Sequence, residues 1–168
     1  EIASCLVGSE MCIRDSLNRF PESFTKFGTP GKYELEVNYA DSIAYTDYVL
    51  EQIFNYAKDK LNLQAMVYFS DHATVPDKRR SPNFEGLASV RIPFFTYFSD
   101  EYISQHKEVS AILKKHANLY WTNDLAYELL CSIFDIKSNR FDEANSLASE
   151  KFKYNREDLR TNCGQSKI

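Results

Sequence analysis

Asp71 and His72 stand side by side where an apolar run, residues 63–70 (LQAMVYFS), gives way to polar chain. A carboxylate supplies charge and oxygen, an imidazole supplies a neutral nitrogen, and zinc accepts both. Two adjacent residues cannot complete a site that takes about four ligands, so the remainder must come from elsewhere. The other histidines, His106 and His116, fall on later helical stretches without matching partners. Taken alone, the dipeptide suits a turn or a helix cap as well as it suits a metal. The cysteines at 5, 12, 131 and 163 include no pair with metal-knuckle spacing. Cys131 lies on an apolar helix face and reads as a small buried thiol.

Composition narrows the classes of partner. The 168 residues are 43% hydrophobic and 26% charged, ordinary for a globular chain, and 14% aromatic, which is high. Such a chain can bury a core. The formal net charge of −4 and the lack of a basic stripe argue against nucleic acid. The one dense basic run, Asp77-Lys78-Arg79-Arg80, is local. No stretch reaches the roughly 18–20 apolar residues of a membrane span. Residues 1–16 lack the basic start and apolar centre of a signal peptide. They fit neither helical nor strand period and differ in composition from the rest of the chain.

The elements that must hold Asp71 and His72 can be laid out from periodicity. Tyr39, Ile43, Leu50, Ile53, Phe54, Ala57 and Leu61 recur at three- and four-residue steps, which predicts a helix over 38–61 with one apolar face. Asp47, Glu51, Asn55, Lys58 and Asp59 occupy its polar face, and Asn38 or Asp41 suits its cap. After Asn62, the run 63–70 predicts a strand buried on both faces of a parallel sheet. Its carboxyl end is where open α/β sheets bind ligands. A long loop, 73–89, leads to a second apolar run, 90–98 (VRIPFFTYF), in which Pro93 requires an edge, a bulge or a strand start. Ser99 caps a short helix with acids in its first turn. Further helices are expected over 108–118 and 122–135, and residues 138–168 read as an extended surface tail. The expected fold class is α/β, a mostly parallel sheet flanked by helices.

Several of these tracts together resemble a known family. They are residues 38–48 (NYADSIAYTDY), the strand ending Tyr68-Phe69-Ser70-Asp71-His72, residues 90–95 (VRIPFF), the segment 20–27 (FPESFTKF) and Thr122-Asn123-Asp124-Leu125. In order and spacing, over about 18–150, they resemble the C-terminal half of the sulfatase-like phosphoethanolamine transferases of the alkaline phosphatase superfamily. The resemblance implies a partial alkaline-phosphatase/sulfatase-like domain over 17–137, followed by the tail at 138–168. It makes Asp71 and His72 metal ligands, with Zn2+ expected and another divalent metal possible. No catalytic nucleophile is assigned in this chain: the Thr, or the formylglycine-forming Cys of true sulfatases, would lie upstream. The implied reaction moves phosphoethanolamine from a phospholipid donor to a surface lipid or glycan acceptor. A sulfuric-ester hydrolase and a non-catalytic fragment are the alternatives. The parent is expected to be membrane-anchored through N-terminal helices, with its catalytic domain outside the cytoplasm, on the periplasmic or extracellular face, and the fragment itself to be soluble. Two positions depart from the family pattern: Ala73 replaces a Gly, and Phe84-Glu85-Gly86 replaces a His-Gly pair that contacts substrate. Arg79 and Arg80 then supply positive charge to an anionic head group, against the alternative of a solvated loop run. Residues 6–16 (LVGSEMCIRDS) resemble a translated sequencing-adaptor scar, so 1–16 is set apart as non-native, with a preceding portion of the natural protein expected upstream of Leu17.

Overall fold

The computed structural model describes residues 21–28, 35–71, 73, 91–158, 160–161 and 166–167. Segment 1–16, His72, Arg79, Arg80 and Glu85 lie outside the described residues. The chain divides into two compact units, residues 1–63 with 72–92, and residues 64–71 with 93–168.

The first unit is built on one long helix, α1, Leu35–Leu61. No Gly or Pro interrupts its 27 residues, so its backbone ladder runs unbroken. It ends at Asn62, whose φ of 51° is the left-handed conformation that Asn tolerates better than most residues. The Leu63 N–H then turns back to the Ala57 carbonyl at 3.2 Å. Ahead of the helix, a short 3-10 turn, Glu22–Phe24, leads into a strap that lies along α1. Asp41 binds it there. One carboxylate oxygen accepts from the Lys26 N–H at 2.7 Å and the Phe27 N–H at 3.1 Å. Asp41 therefore does not cap the start of α1, as its position suggested, but terminates a neighbouring segment from inside the helix. Its second oxygen is buried without a hydrogen-bond partner. Phe24 packs on Tyr45 and Tyr48 with ring centres 5.1 and 4.9 Å away. Gly28 passes so near the helix that a Cβ there would stand 3.2 Å from Val37 Cγ1.

The second unit starts with β1, Ala65–Phe69, paired with β2, Phe94–Phe98. The pairing is antiparallel, in register from Ala65 opposite Phe98 to Phe69 opposite Phe94. This corrects the expected parallel arrangement: among the described residues, this pair and the short pair of Arg160–Thr161 with Ser166–Lys167 are both antiparallel. A continuous apolar run carries no information about strand direction, and here its second face is made by cross-strand aromatics, Tyr68 stacked on Phe95 at 5.1 Å. Nor is β1 buried on both faces, since all five of its residues are half-buried. Pro93 falls immediately before β2, so its missing N–H breaks no ladder bond.

The helices α2, Asp100–Gln105, and α3, Lys107–Lys115, come directly after β2. Ser99 caps α2, its hydroxyl accepting from the Tyr102 N–H at 3.0 Å and donating to Gln64 at 2.8 Å. The stretch expected as one helix at 122–135 is a 3-10 turn, Asn123–Leu125, running into α4, Ala126–Ile133. Asp135, at φ 50°, ends it, and the Ile136 N–H returns to the Cys131 carbonyl at 2.9 Å, a Schellman closure.

Tyr102, Leu113, Leu129, Ile133, Leu147 and Ala148 form the core, with Val67, Phe94 and Phe98 packed against it from the strands. The Tyr102 hydroxyl donates to the Ile133 carbonyl at 2.5 Å. Leu147 and Ala148 belong to the stretch expected as a surface tail, and the whole run from Ser146 to Ser149 is buried. Its polar look hid this. Ser146 meets Ser132 hydroxyl to hydroxyl at 2.7 Å, Ser149 donates to Glu143 at 3.1 Å, and His116 Nδ1 contacts the Leu147 carbonyl at 2.9 Å. Buried polar groups are tolerated when bonded in this way.

Candidate functional site

Asp71 emerges just past the carboxyl end of β1, as the run 63–70 implied. Its carboxylate is exposed, with the Ser70 hydroxyl 3.4 Å from one oxygen. The backbone beneath it is held from elsewhere in the unit. Asn123 directs its side-chain nitrogen at two successive carbonyls, that of Asp71 at 2.8 Å and that of Ser70 at 3.3 Å. Asn123 reaches this point because Trp121, two residues earlier, sits on the end of the strand pair. The indole stacks on Phe94 at 4.7 Å and meets Phe69 edge-on at 5.5 Å. Phe69 and Phe94 are register partners at that same end.

Sequence reasoning saw the tract from Thr122 to Leu125 as the start of a helix and as part of the family resemblance, without a role for Asn123 toward Asp71. Asn opens helices readily, accepting through its side-chain oxygen, so nothing in the residue type marked its amide nitrogen as aimed at Asp71.

Asp71 is a donor of the right kind for a hard or borderline divalent cation. In number the match is incomplete: among the described residues no three His, Cys, Asp or Glu side chains converge on one point. His106 and His116 serve the core instead, His106 stacked on Tyr102 at 4.5 Å and His116 buried against Leu147. Cys131 is a buried free thiol, as its helix face implied.

The displaced ionisations also lie away from Asp71. Burial raises the Tyr102 phenol, and the Asp135 carboxylate adds to the effect. Hydrogen bonds from Lys151 and Ser149 lower Glu143, and one from Lys115 lowers Glu150. A cleft of about 890 Å³ is lined by Glu108, Cys131, Asp135, Lys137, Glu143 and Lys151, among others, and by none of Ser70, Asp71 or Asn123. Its lysines are ion-paired, Lys137 to Asp135 at 2.5 Å and Lys151 to Glu143 at 2.7 Å. The cleft and the strand end are separate features.

The fold is that of a partial α/β domain, a short strand pair backed by helices with an acidic residue just past one strand's carboxyl end. The sulfatase family model matches residues 13–131, and the chain belongs to the sulfatase family. Among solved structures it is similar to the C-terminal periplasmic domain of the phosphoethanolamine transferase EptC from Campylobacter jejuni, at 21% identity and a TM-score of 0.66. That likeness, which shows the fold, covers 83% of this chain and 48% of the periplasmic domain, so the chain spans about half of that domain's length. Among curated proteins, none matches. Among the described residues no helix is long and apolar enough to cross a membrane.

Proposed function

We propose that the protein to which this chain belongs transfers phosphoethanolamine from a phospholipid to a surface lipid or glycan, using Asp71 and His72 as two ligands of a zinc or other divalent ion. The observation that carries the proposal is Asp71 itself: a carboxylate at the end of β1, on a chain of the sulfatase family that has the fold of a phosphoethanolamine transferase's periplasmic domain. When bound, the cation supplies Lewis-acid polarisation of a phosphoryl oxygen and favours the deprotonated nucleophile. The chain's own residues do the remaining work assigned to them. Asp71 contributes negative charge and an oxygen donor, and His72 contributes nitrogen. Arg79 and Arg80 attract the anionic donor before the reaction.

The nucleophile belongs, in this proposal, to the part of the domain that these residues do not span. The isolated chain is therefore expected to show no turnover. Anchoring of the parent in a membrane, with this domain on the outer face, is part of the same proposal. It is supported by the periplasmic setting of the similar structure. Hydrolysis of sulfuric esters is the second reading, favoured by the match to the sulfatase family.

A phosphoethanolamine-release assay and a sulfate-ester assay on the parent protein separate the two. Asp71→Ala and His72→Ala are expected to abolish transfer and to weaken metal binding, because each leaves the cation short of a ligand. Arg79→Ala and Arg80→Ala are expected to raise KM with a smaller change in kcat. Full activity in the His72→Ala parent overturns the metal-site proposal.

A further inference from the structure

We infer that Asn123 is a positioning residue for Asp71, setting the direction in which this carboxylate leaves the strand. The inference rests on the metal reading of Asp71 and goes beyond it. Each peptide unit is planar, so fixing one carbonyl oxygen orients the whole plane that contains it. The Ser70 carbonyl belongs to the plane entering the Asp71 Cα, and the Asp71 carbonyl to the plane leaving it toward His72. Asn123 contacts both oxygens through one nitrogen, at 3.3 and 2.8 Å. With both planes held, φ and ψ of Asp71 are held, and with them the direction of its Cα–Cβ bond.

The clamp has a rigid base. Asn123 opens a 3-10 turn, and Trp121 before it is packed against the aromatic ends of β1 and β2. A primary amide suits the task because one nitrogen carries two N–H donors, one for each oxygen. Groups that orient metal ligands without touching the metal commonly account for about 10–100-fold in affinity.

The test is a zinc titration of the parent protein by calorimetry, alongside its Asp71→Ala, Asn123→Ala and Asn123→Leu variants. A parallel cobalt titration tracks the ligand-field absorption. Asp71→Ala should lose the binding event. Asn123→Ala should bind zinc about 10–100-fold more weakly, with altered cobalt band intensities at saturation, a change that a purely structural role would not produce. Asn123→Leu, near to Asn in shape and lacking both donors, should behave as Asn123→Ala does. It keeps the comparison informative if the smaller residue unfolds the turn, and metal-free melting curves report which has happened. Wild-type zinc affinity and cobalt spectrum in a folded Asn123 variant, with binding lost in Asp71→Ala, overturn the positioning role alone. Unchanged affinity in Asp71→Ala, or no zinc binding by the parent protein, removes the metal reading and this inference with it.

Discussion

The two units differ in what their described residues bury. In the second, Leu129 and Ile133 are wholly enclosed, and so is Ser146. In the first, the fully buried residue among those described is Asp41, a carboxylate, while Ile43, Ile53 and Leu61, all expected on the apolar face of α1, remain 44%, 45% and 66% exposed. Both units contain helices with apolar residues at three- and four-residue steps, so periodicity alone did not decide burial. Burial needs a second apolar surface of matching shape. The second unit supplies one from β1, β2, α2, α3, α4 and the segment around Leu147. The first is organised at its described end by a polar contact, Asp41 gripping two backbone N–H groups.

The sharpest way to break this contrast is to remove a core side chain. Leu129→Ala is expected to destabilise the second unit by about 2–5 kcal/mol in urea unfolding, since it leaves a cavity among enclosed neighbours. A loss below about 1 kcal/mol would mean that the core is not closed.

Asp41→Ala comes next. It strands the Lys26 and Phe27 N–H groups, which should cost about 1–3 kcal/mol and speed hydrogen exchange at those two amides. Asp41→Asn, which keeps an acceptor oxygen, should lose less. Unchanged exchange in Asp41→Ala would show that the strap is held by Phe24 and its tyrosines instead.

Tyr102→Phe is smaller, about 1 kcal/mol, for the single bond to the Ile133 carbonyl. It also has a pH signature. The Tyr102 phenol is raised above its ordinary value of 10.0, so above pH 10 the unfolded chain loses this proton before the folded one does. The stability it contributes is present below that value and falls as pH climbs through the folded pKa. Melting curves taken either side of pH 10 should therefore decline less in Tyr102→Phe than in the parent sequence.

The least effect is expected on α1. Ile53→Lys should change stability by no more than about 0.5 kcal/mol, as for an ordinary surface site. A much larger loss would show that this face is covered.

Much of the local architecture was legible in the residues themselves. The span of α1, the end of β1 before Asp71, the strand start after Pro93, the Ser99 cap and the buried Cys131 each arise from residues within a few positions of one another. Such features depend on backbone propensity, capping and side-chain period, all of which act over one or two turns. Three others were not legible. The antiparallel direction of β1 and β2, the burial of Ser146 to Ser149, and the clamp of Asn123 on Asp71 each join residues far apart in the chain, 52 positions in the last case. A serine or asparagine reads as loop or surface until its hydrogen-bond partner is known, because the partner decides whether burying it is tolerable. The amino-acid sequence thus determined by itself where α1, β1 and β2 lie and where Asp71 falls. Only the tertiary structure decided which polar groups are enclosed and what aims Asp71, because those outcomes depend on contacts between segments that no local pattern encodes.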